Sequence, residues 1–256
     1  MELLKKDRSA RISKSLETRE RHPIHSIDSR RYVQHNLLLG DGLGPILQFM
    51  DELPPDRTRV NVLRAIEDGA YSALHIDYVL GDWGPMVGFE VHRWEDDRIV
   101  EHWDNLQPKG AGANPSRRTM VDGAAEISEL DRTAENKALV EAFVSRVLIG
   151  GDLEALAEFF ENDALIQHSP ACADGTQAFA VALAENRSSG AAIHHRVRLL
   201  LGEGDLVLAA SEGTINGEPA AFYDLFRTSH GVIAEHWDVV ETIAPEATWK
   251  NTNGKF

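Results

Sequence analysis

Ile99-Val100-Glu101-His102-Trp103-Asp104 returns as Ile233-Ala234-Glu235-His236-Trp237-Asp238, 134 residues further along the chain. Gln34-His35 likewise returns as Gln167-His168 and Asp41-Gly42 as Asp174-Gly175, each 133 residues on, and Glu90 and Arg93 fall opposite Asp224 and Arg227. Solenoid repeats have periods of roughly 20–50 residues, so an offset this long marks a whole domain that has been duplicated. The spacing predicts a first domain over 1–107, a linker over 108–131 rich in Gly, Ala, Pro and Ser, and a second domain over 132–256.

The second copy has the clearer pattern. Leu139, Val140, Phe143, Val144, Val147 and Leu148 recur at helical spacing between Thr133, an N-cap candidate, and the Gly150-Gly151 stop. Asp152 is placed to cap a second helix with Leu153, Leu156, Ala157 and Phe160 on its buried stripe. A short strand at 165–167 and a helix over about 176–185 precede four apolar, partly alternating segments near 192–201, 206–212, 219–228 and 232–241. Helices followed by an antiparallel meander give an α+β class, one curved sheet wrapped around helices. The first copy shows the strands, but 1–31 holds few apolar residues at poor helical spacing, which predicts frayed or displaced helices there.

The net charge is −15 with no clustered basic footprint, which argues against nucleic acid as partner. The single cysteine, Cys172, excludes an internal disulfide framework and fits a reducing compartment. With neither an apolar leader nor a membrane-length apolar run, the expected setting is the cytoplasm, away from membranes.

On a strand, side chains alternate faces, so His102 and Asp104 share one face with Val100 and Leu106, and Glu101, Trp103 and Asn105 share the other. His236 and Asp238 repeat this. The His and Asp are assigned to a concave pocket, and Trp103 and Trp237 to an interface between repeats. A His and a carboxylate entering an apolar cavity can make an acid/base pair, although spacing alone favours a satisfied structural hydrogen bond.

The phrases Tyr32-Val33-Gln34-His35-Asn36, Asp41-Gly42, Asp224-Leu225-Phe226-Arg227 and Val232 to Asp238 resemble SnoaL-like polyketide cyclases of the nuclear-transport-factor-2-like superfamily, over 32–107 and 134–243. The resemblance implies two cone-shaped α+β barrels in tandem, packed as an internal pseudo-dimer, each with an apolar pocket. It also implies an acidic residue acting as general acid/base in an aldol closure, without metal or organic cofactor. Carried over residue by residue, the catalytic candidates are Asp104, His102, His35 and Glu90, with His168, Asp224, His236 and Asp238 in the second pocket. His75 joins the first set because family members often carry a histidine there, and Asp77, Trp83 and His92 are candidate substrate contacts. Asp104 would take a proton α to a carbonyl while His102 or His35 polarises the oxygen. The richer polar set favours the first copy as the active one.

The expected function is thus cofactor-free acid/base chemistry, of the aldol-cyclase or isomerase kind, on an apolar carbonyl compound. The alternatives are an apolar-ligand-binding or scaffold protein, and epoxide-hydrolase-like chemistry, whose Asp-Arg-Asp set the sequence does not show clearly. A Tyr with paired acids, as in steroid isomerases, is not evident either. A metal held by His35, His75 and His102 with Glu90 or Asp104 would have to be assembled from separate strands.

Overall fold

The computed structural model describes residues 3–110 and 112–256. It divides into two compact units, one of Met1–Lys109 with Ala244–Phe256 and one of Gly110–Ile243. Among the described residues, no helix is long and apolar enough to cross a membrane.

In the first unit the order is α1 (Lys5–Thr18), β1 (Val33–Gln34), α2 (Leu43–Glu52), β2 (Thr58–Asp68), β3 (Tyr71–Leu80), β4 (Pro85–Glu95) and β5 (Arg98–Pro108). The sheet order is β1-β5-β4-β3-β2: a four-stranded antiparallel meander with the two-residue β1 parallel to β5. Gln34 therefore lies beside His102, Glu90 opposite Asp104, and His92 opposite His102. The helices lie on one face of the sheet, where Ile12, Ile24, Ile27, Tyr32, Met50, Trp94 and Ile99 form an apolar cluster.

The α1 helix is fully formed, contrary to the expectation of a frayed N-terminal part. Its inward stripe is largely hydroxyl-bearing: Ser9, Ser13 and Ser15 are buried beside Ile12. Ser9 Oγ bonds Ser72 Oγ at 2.8 Å, and Ser13 Oγ donates to Glu90 Oε2 at 2.5 Å. Buried polar groups are tolerated where they are hydrogen-bonded, and apolar periodicity cannot register a helix anchored this way.

The second unit repeats the plan with α3 (Thr133–Phe143), α4 (Leu156–Phe159), β6 (Ile166–Gln167), α5 (Thr176–Ser189), β7 (Ala192–Glu203), β8 (Leu206–Ile215), β9 (Glu218–Ser229) and β10 (Val232–Thr242). Its sheet order is β6-β10-β9-β8-β7. α3 runs into a π-helical turn over Val144–Ile149 before Gly151, at φ 74°, ends it. Thr133 is the first helical residue rather than the cap, its hydroxyl donating to Leu130 O and accepting from Gly204 N–H. Asp152 does cap the next turn, accepting from Ala155 N–H, but Phe159 rather than Ala157 is buried beside Leu156 and Phe160.

The unit boundaries correct the division drawn from the repeat. Asn114 Nδ2 donates to Gln167 O at 2.7 Å and Cys172 O at 2.8 Å, and Ser128 bonds Asp205, so the linker belongs to the second unit. The tail after Ile243 belongs to the first: Asn251 Nδ2 donates to Asn36 O and Leu39 O, and Asn253 Nδ2 to Gln34 O. Asn114 and Asn251 play the same part, each satisfying loop carbonyls beside the short parallel strand of its unit.

Candidate active site

A cavity of about 530 Å³ opens between the helices and sheet of the first unit. Its apolar wall comes from α1 (Ile12, Leu16), α2 (Ile46, Phe49) and the sheet (Leu80, Leu106). Its polar wall is Glu90 and His92 of β4, His102 and Asp104 of β5, and Tyr78 of β3. Alternation places 90 and 92 on one face of β4 and 102, 104 and 106 on the same face of β5, the latter as the sequence pattern predicts.

Each polar group has a definite setting. Gln34 Oε1 accepts Asn36 N–H at 2.8 Å, which fixes it as the oxygen, and it lies 2.8 Å from His102 Nδ1. His102 therefore carries its hydrogen on Nδ1 and leaves a lone pair on Nε2. Burial pushes the imidazolium of His102 down to about 3, helped by the charges of His35 and Lys255, and burial likewise holds His92 well below the usual histidine range. Both rings are neutral near pH 7, stacked with centroids 5.0 Å apart.

Glu90 receives the Ser13 hydroxyl on one oxygen and the Tyr78 hydroxyl on the other. Burial raises its carboxyl to about 6, more than those two bonds and against them, and the Asp104 charge adds to the rise. Burial also raises Asp104, opposed by Lys255 and by Asn36, whose Nδ2 donates to Oδ2 at 2.6 Å. Asp104 Oδ1 is buried with no hydrogen bond.

Five expected site residues are thus gathered at this cavity: Asp104, His102, Glu90, His92 and Trp83, the last 51% exposed at the wall. Three others lie outside it. His35 points to the opposite side of β5, where Nε2 is 3.0 Å from Glu101 Oε1, Nδ1 is 2.9 Å from Gly254 O, and the ring stacks on Trp103. His75 and Asp77 occupy the outer face of β3, alternating with the inward Tyr78. His75 sits against Arg64 and Phe89, and Asp77 is paired with Lys109 Nζ at 2.6 Å. The sequence reading grouped them correctly with each other but assigned them to the wrong face. Tyr78, Ser13, Gln34 and Asn36 were missed; Ser13 and Tyr78 matter through their bonds to Glu90, and Gln34 and Asn36 through the parallel pairing of β1 with β5, neither visible without the fold.

The four second-copy candidates are each set among close partners. His168 repeats His35, bonded to Glu235 Oε1 at 2.8 Å and stacked on Trp237. Each tryptophan therefore packs on a histidine of its own unit. Asp224 lies between two imidazoles, 3.0 Å from His236 Nε2 and 3.2 Å from His194 Nε2. Burial pushes Asp224 up, but the bonds and charges of His194 and His236 outweigh it and hold the carboxyl well below the usual range. Asp238 accepts the Ser169 hydroxyl at 2.9 Å and is raised by burial. Phe226 stands at the register position of His92 and stacks on His236, and Phe143, Phe160 and Phe179 pack in the same cluster. That interior is filled with aromatic side chains.

Two other chemistries find little support in this geometry. The histidines of the imagined His35-His75-His102 metal set lie on different faces of the sheet. The donor atoms of Glu90, His92 and His102 do come within 4.8 Å of one another, but both Glu90 oxygens already accept hydroxyls and His102 Nδ1 is held by Gln34, so the group reads as a hydrogen-bonded cluster. Among the described residues lining the cavity there is no arginine, so no Asp-Arg-Asp set is assembled.

No protein-family model and no curated protein matches the chain. Solved structures that resemble it include a candidate ketosteroid isomerase from Kribbella flavida, at 17% identity and a TM-score of 0.38, covering 44% of this chain and 84% of that one. A candidate polyketide cyclase from Streptomyces antibioticus matches at 19% identity and 0.35, covering 41% and 91%. An LEH-like epoxide hydrolase from M. tuberculosis matches at 20% and 0.35, covering 43% and 85%.

Proposed function

We propose that the first unit is a small-molecule enzyme that performs general acid/base chemistry on an apolar carbonyl compound, in the manner of an aldol cyclase or an isomerase, with no metal or organic cofactor. The observation that carries this is the pairing, directly across β4 and β5, of a buried Asp104 oxygen free of hydrogen bonds with Glu90, both on the wall of a largely apolar cavity.

Two carboxyls whose surroundings set them apart divide the labour between acid and base. Asp104 Oδ1 removes the proton α to the ligand carbonyl, and the electron pair moves into the carbonyl oxygen. The hydrogen bond to that oxygen comes from Glu90 in its acid form, which the fold favours up to about pH 6. His102 cannot supply it, because its one hydrogen is bonded to Gln34; this revises the role the sequence suggested. The enolate then attacks a second carbonyl, whose alkoxide oxygen takes the proton back from Asp104, or is itself reprotonated by Asp104 at another carbon; either way Asp104 ends ionised. The second unit, packed with phenylalanine, is assigned a scaffold role.

Deuterium exchange tests the proton abstraction itself, whatever the later bond-making. The protein is incubated in D2O with a panel of apolar ketones, including steroid, terpenoid and aromatic polyketide-like compounds. Loss of α-protons is followed by NMR. The expected result is catalysed exchange with at least one class, abolished in Asp104→Asn and retained in Asp238→Asn. No exchange across the panel, or exchange undiminished in Asp104→Asn, contradicts the reading.

A further inference from the structure

Asp104 is approached from two directions by chain outside its own strand. Asn36 holds Oδ2, while Lys255 Nζ lies 3.8 Å from Oδ1, with the lysine only 5% exposed. Lys255 is delivered by a tail tied down residue by residue: Lys250 N–H to Leu37 O, Asn251 to Asn36 O and Leu39 O, Asn253 to Gln34 O, and Gly254 O at His35 Nδ1. An ammonium is withdrawn from water at a heavy cost unless a counter-charge is close.

The second unit shows that the tie-down does not itself need a lysine. There Thr119 O lies 2.9 Å from His168 Nδ1, as Gly254 O does from His35 Nδ1, and the next residue is Met120, also buried. Equivalent segments thus carry lysine in the unit with the cavity and methionine in the unit packed with phenylalanine.

We propose that Lys255 is a positioning residue that keeps Asp104 ionised, so that Oδ1 can accept a proton from the ligand. This rests on the reading of Asp104 as the base. Burial drives Asp104 toward its neutral form, and the Lys255 ammonium is the foremost opposing influence, ahead of Asn36 and His35. The other groups facing this carboxyl cannot replace it. Glu90 across the ladder is a second acid, His102 is neutral, and Tyr32 and Tyr78 are held far above their usual range by burial. Lys250 also lines the cavity, but the ammonium paired with Asp104 is that of Lys255. Because Glu90 and Asp104 disfavour each other's ionisation, a cation beside only one of them decides which carboxyl loses its proton first. Lys255 makes that one Asp104.

The test is a carboxyl ¹³C NMR titration of the full chain, with Asp104→Asn identifying the resonance. Lys255→Met is expected to raise the Asp104 midpoint by about one unit or more, and Lys255→Arg to leave it nearly in place. Deuterium exchange in Lys255→Met should then fall about tenfold at a pH one unit below its new midpoint and recover at higher pH. An unchanged midpoint in Lys255→Met overturns the proposal. Should that variant fail to fold, Lys255→Gln serves in its place: it removes the same charge, and an unchanged Asp104 midpoint in it overturns the proposal equally. A shifted midpoint combined with undiminished exchange in Asp104→Asn overturns Asp104 as the base and the positioning role with it.

Discussion

Glu90 accepts the hydroxyl of Tyr78, while Asp224, at the same place in the repeated sheet, is bonded to His236 instead. Both acids sit opposite the aspartate of the repeated motif, Asp104 in one copy and Asp238 in the other. The shorter Asp224 pairs with its neighbouring histidines in a filled interior, and the longer Glu90 reaches Tyr78 and Ser13 and leaves His102 neutral. One frame is used as a sealed core in one copy and as a pocket wall in the other.

The raised carboxyl of Glu90 has a signature in stability. Its folded value of about 6 stands above the ordinary 4.5, so the folded state binds this proton more tightly than the unfolded chain. The contribution, about 2 kcal/mol, is complete below pH 4.5 and is lost as pH rises through 6. Urea denaturation at pH 4.5 and pH 7 should show this loss in the wild type and a flatter profile in Glu90→Gln; equal slopes in the two proteins would refute it.

Asp224 behaves with the opposite sign. Its depressed carboxyl stabilises the fold above the ordinary value of 3.8, and that stability is lost as pH falls below it. Asp224→Asn strips a buried charge partner from two histidines and should cost about 3–5 kcal/mol at pH 7. Thermal unfolding at pH 7 and pH 3 reads the effect, which should narrow at the lower pH.

Filling and emptying the two interiors should give opposite results. Phe179→Ala in the second unit leaves a hole in a packed cluster and should cost about 3–5 kcal/mol in denaturant melts. Leu106→Trp in the first unit places bulk into existing space. It should abolish binding of a small apolar fluorophore while leaving the melting temperature little changed; retained binding would mean the fluorophore sits elsewhere.

Ser13→Ala removes one of the two hydroxyls that Glu90 accepts. Since that bond lowers the carboxyl, its loss should move the Glu90 midpoint above 6, by about half a unit to one unit, in a carboxyl NMR titration. An unmoved midpoint would show that Ser13 only packs.

The repeat, the α+β class, the four-stranded meander and the shared face of His102 and Asp104 were all legible in the sequence, because each follows from local periodicity and from an offset between near-identical phrases; the parallel pairing of the short first strand with the last was not. The same periodicity put Trp103 and Glu101 on the outer face, where they meet His35. It could not show which way the residue after a two-residue parallel strand would turn, and so it placed His35 in the pocket, where the side chain of Gln34 goes instead. His75 illustrates the same limit: its face is set by β3's register against β4, a relation between distant residues.

By itself, then, the sequence determined a duplicated domain with an acid and a histidine on one face of its last strand. Tertiary structure decided everything that depends on what meets that face. A serine-lined helix and the tail residue Lys255 adjoin it in the first unit, and phenylalanines fill it in the second. The physical reason is that whether a buried carboxyl is a reactive group or a quenched ion pair depends on solvation and on partners a few ångströms away. Some of those partners come from chain segments more than sixty residues off, as Ser13 does for Glu90 and Lys255 for Asp104.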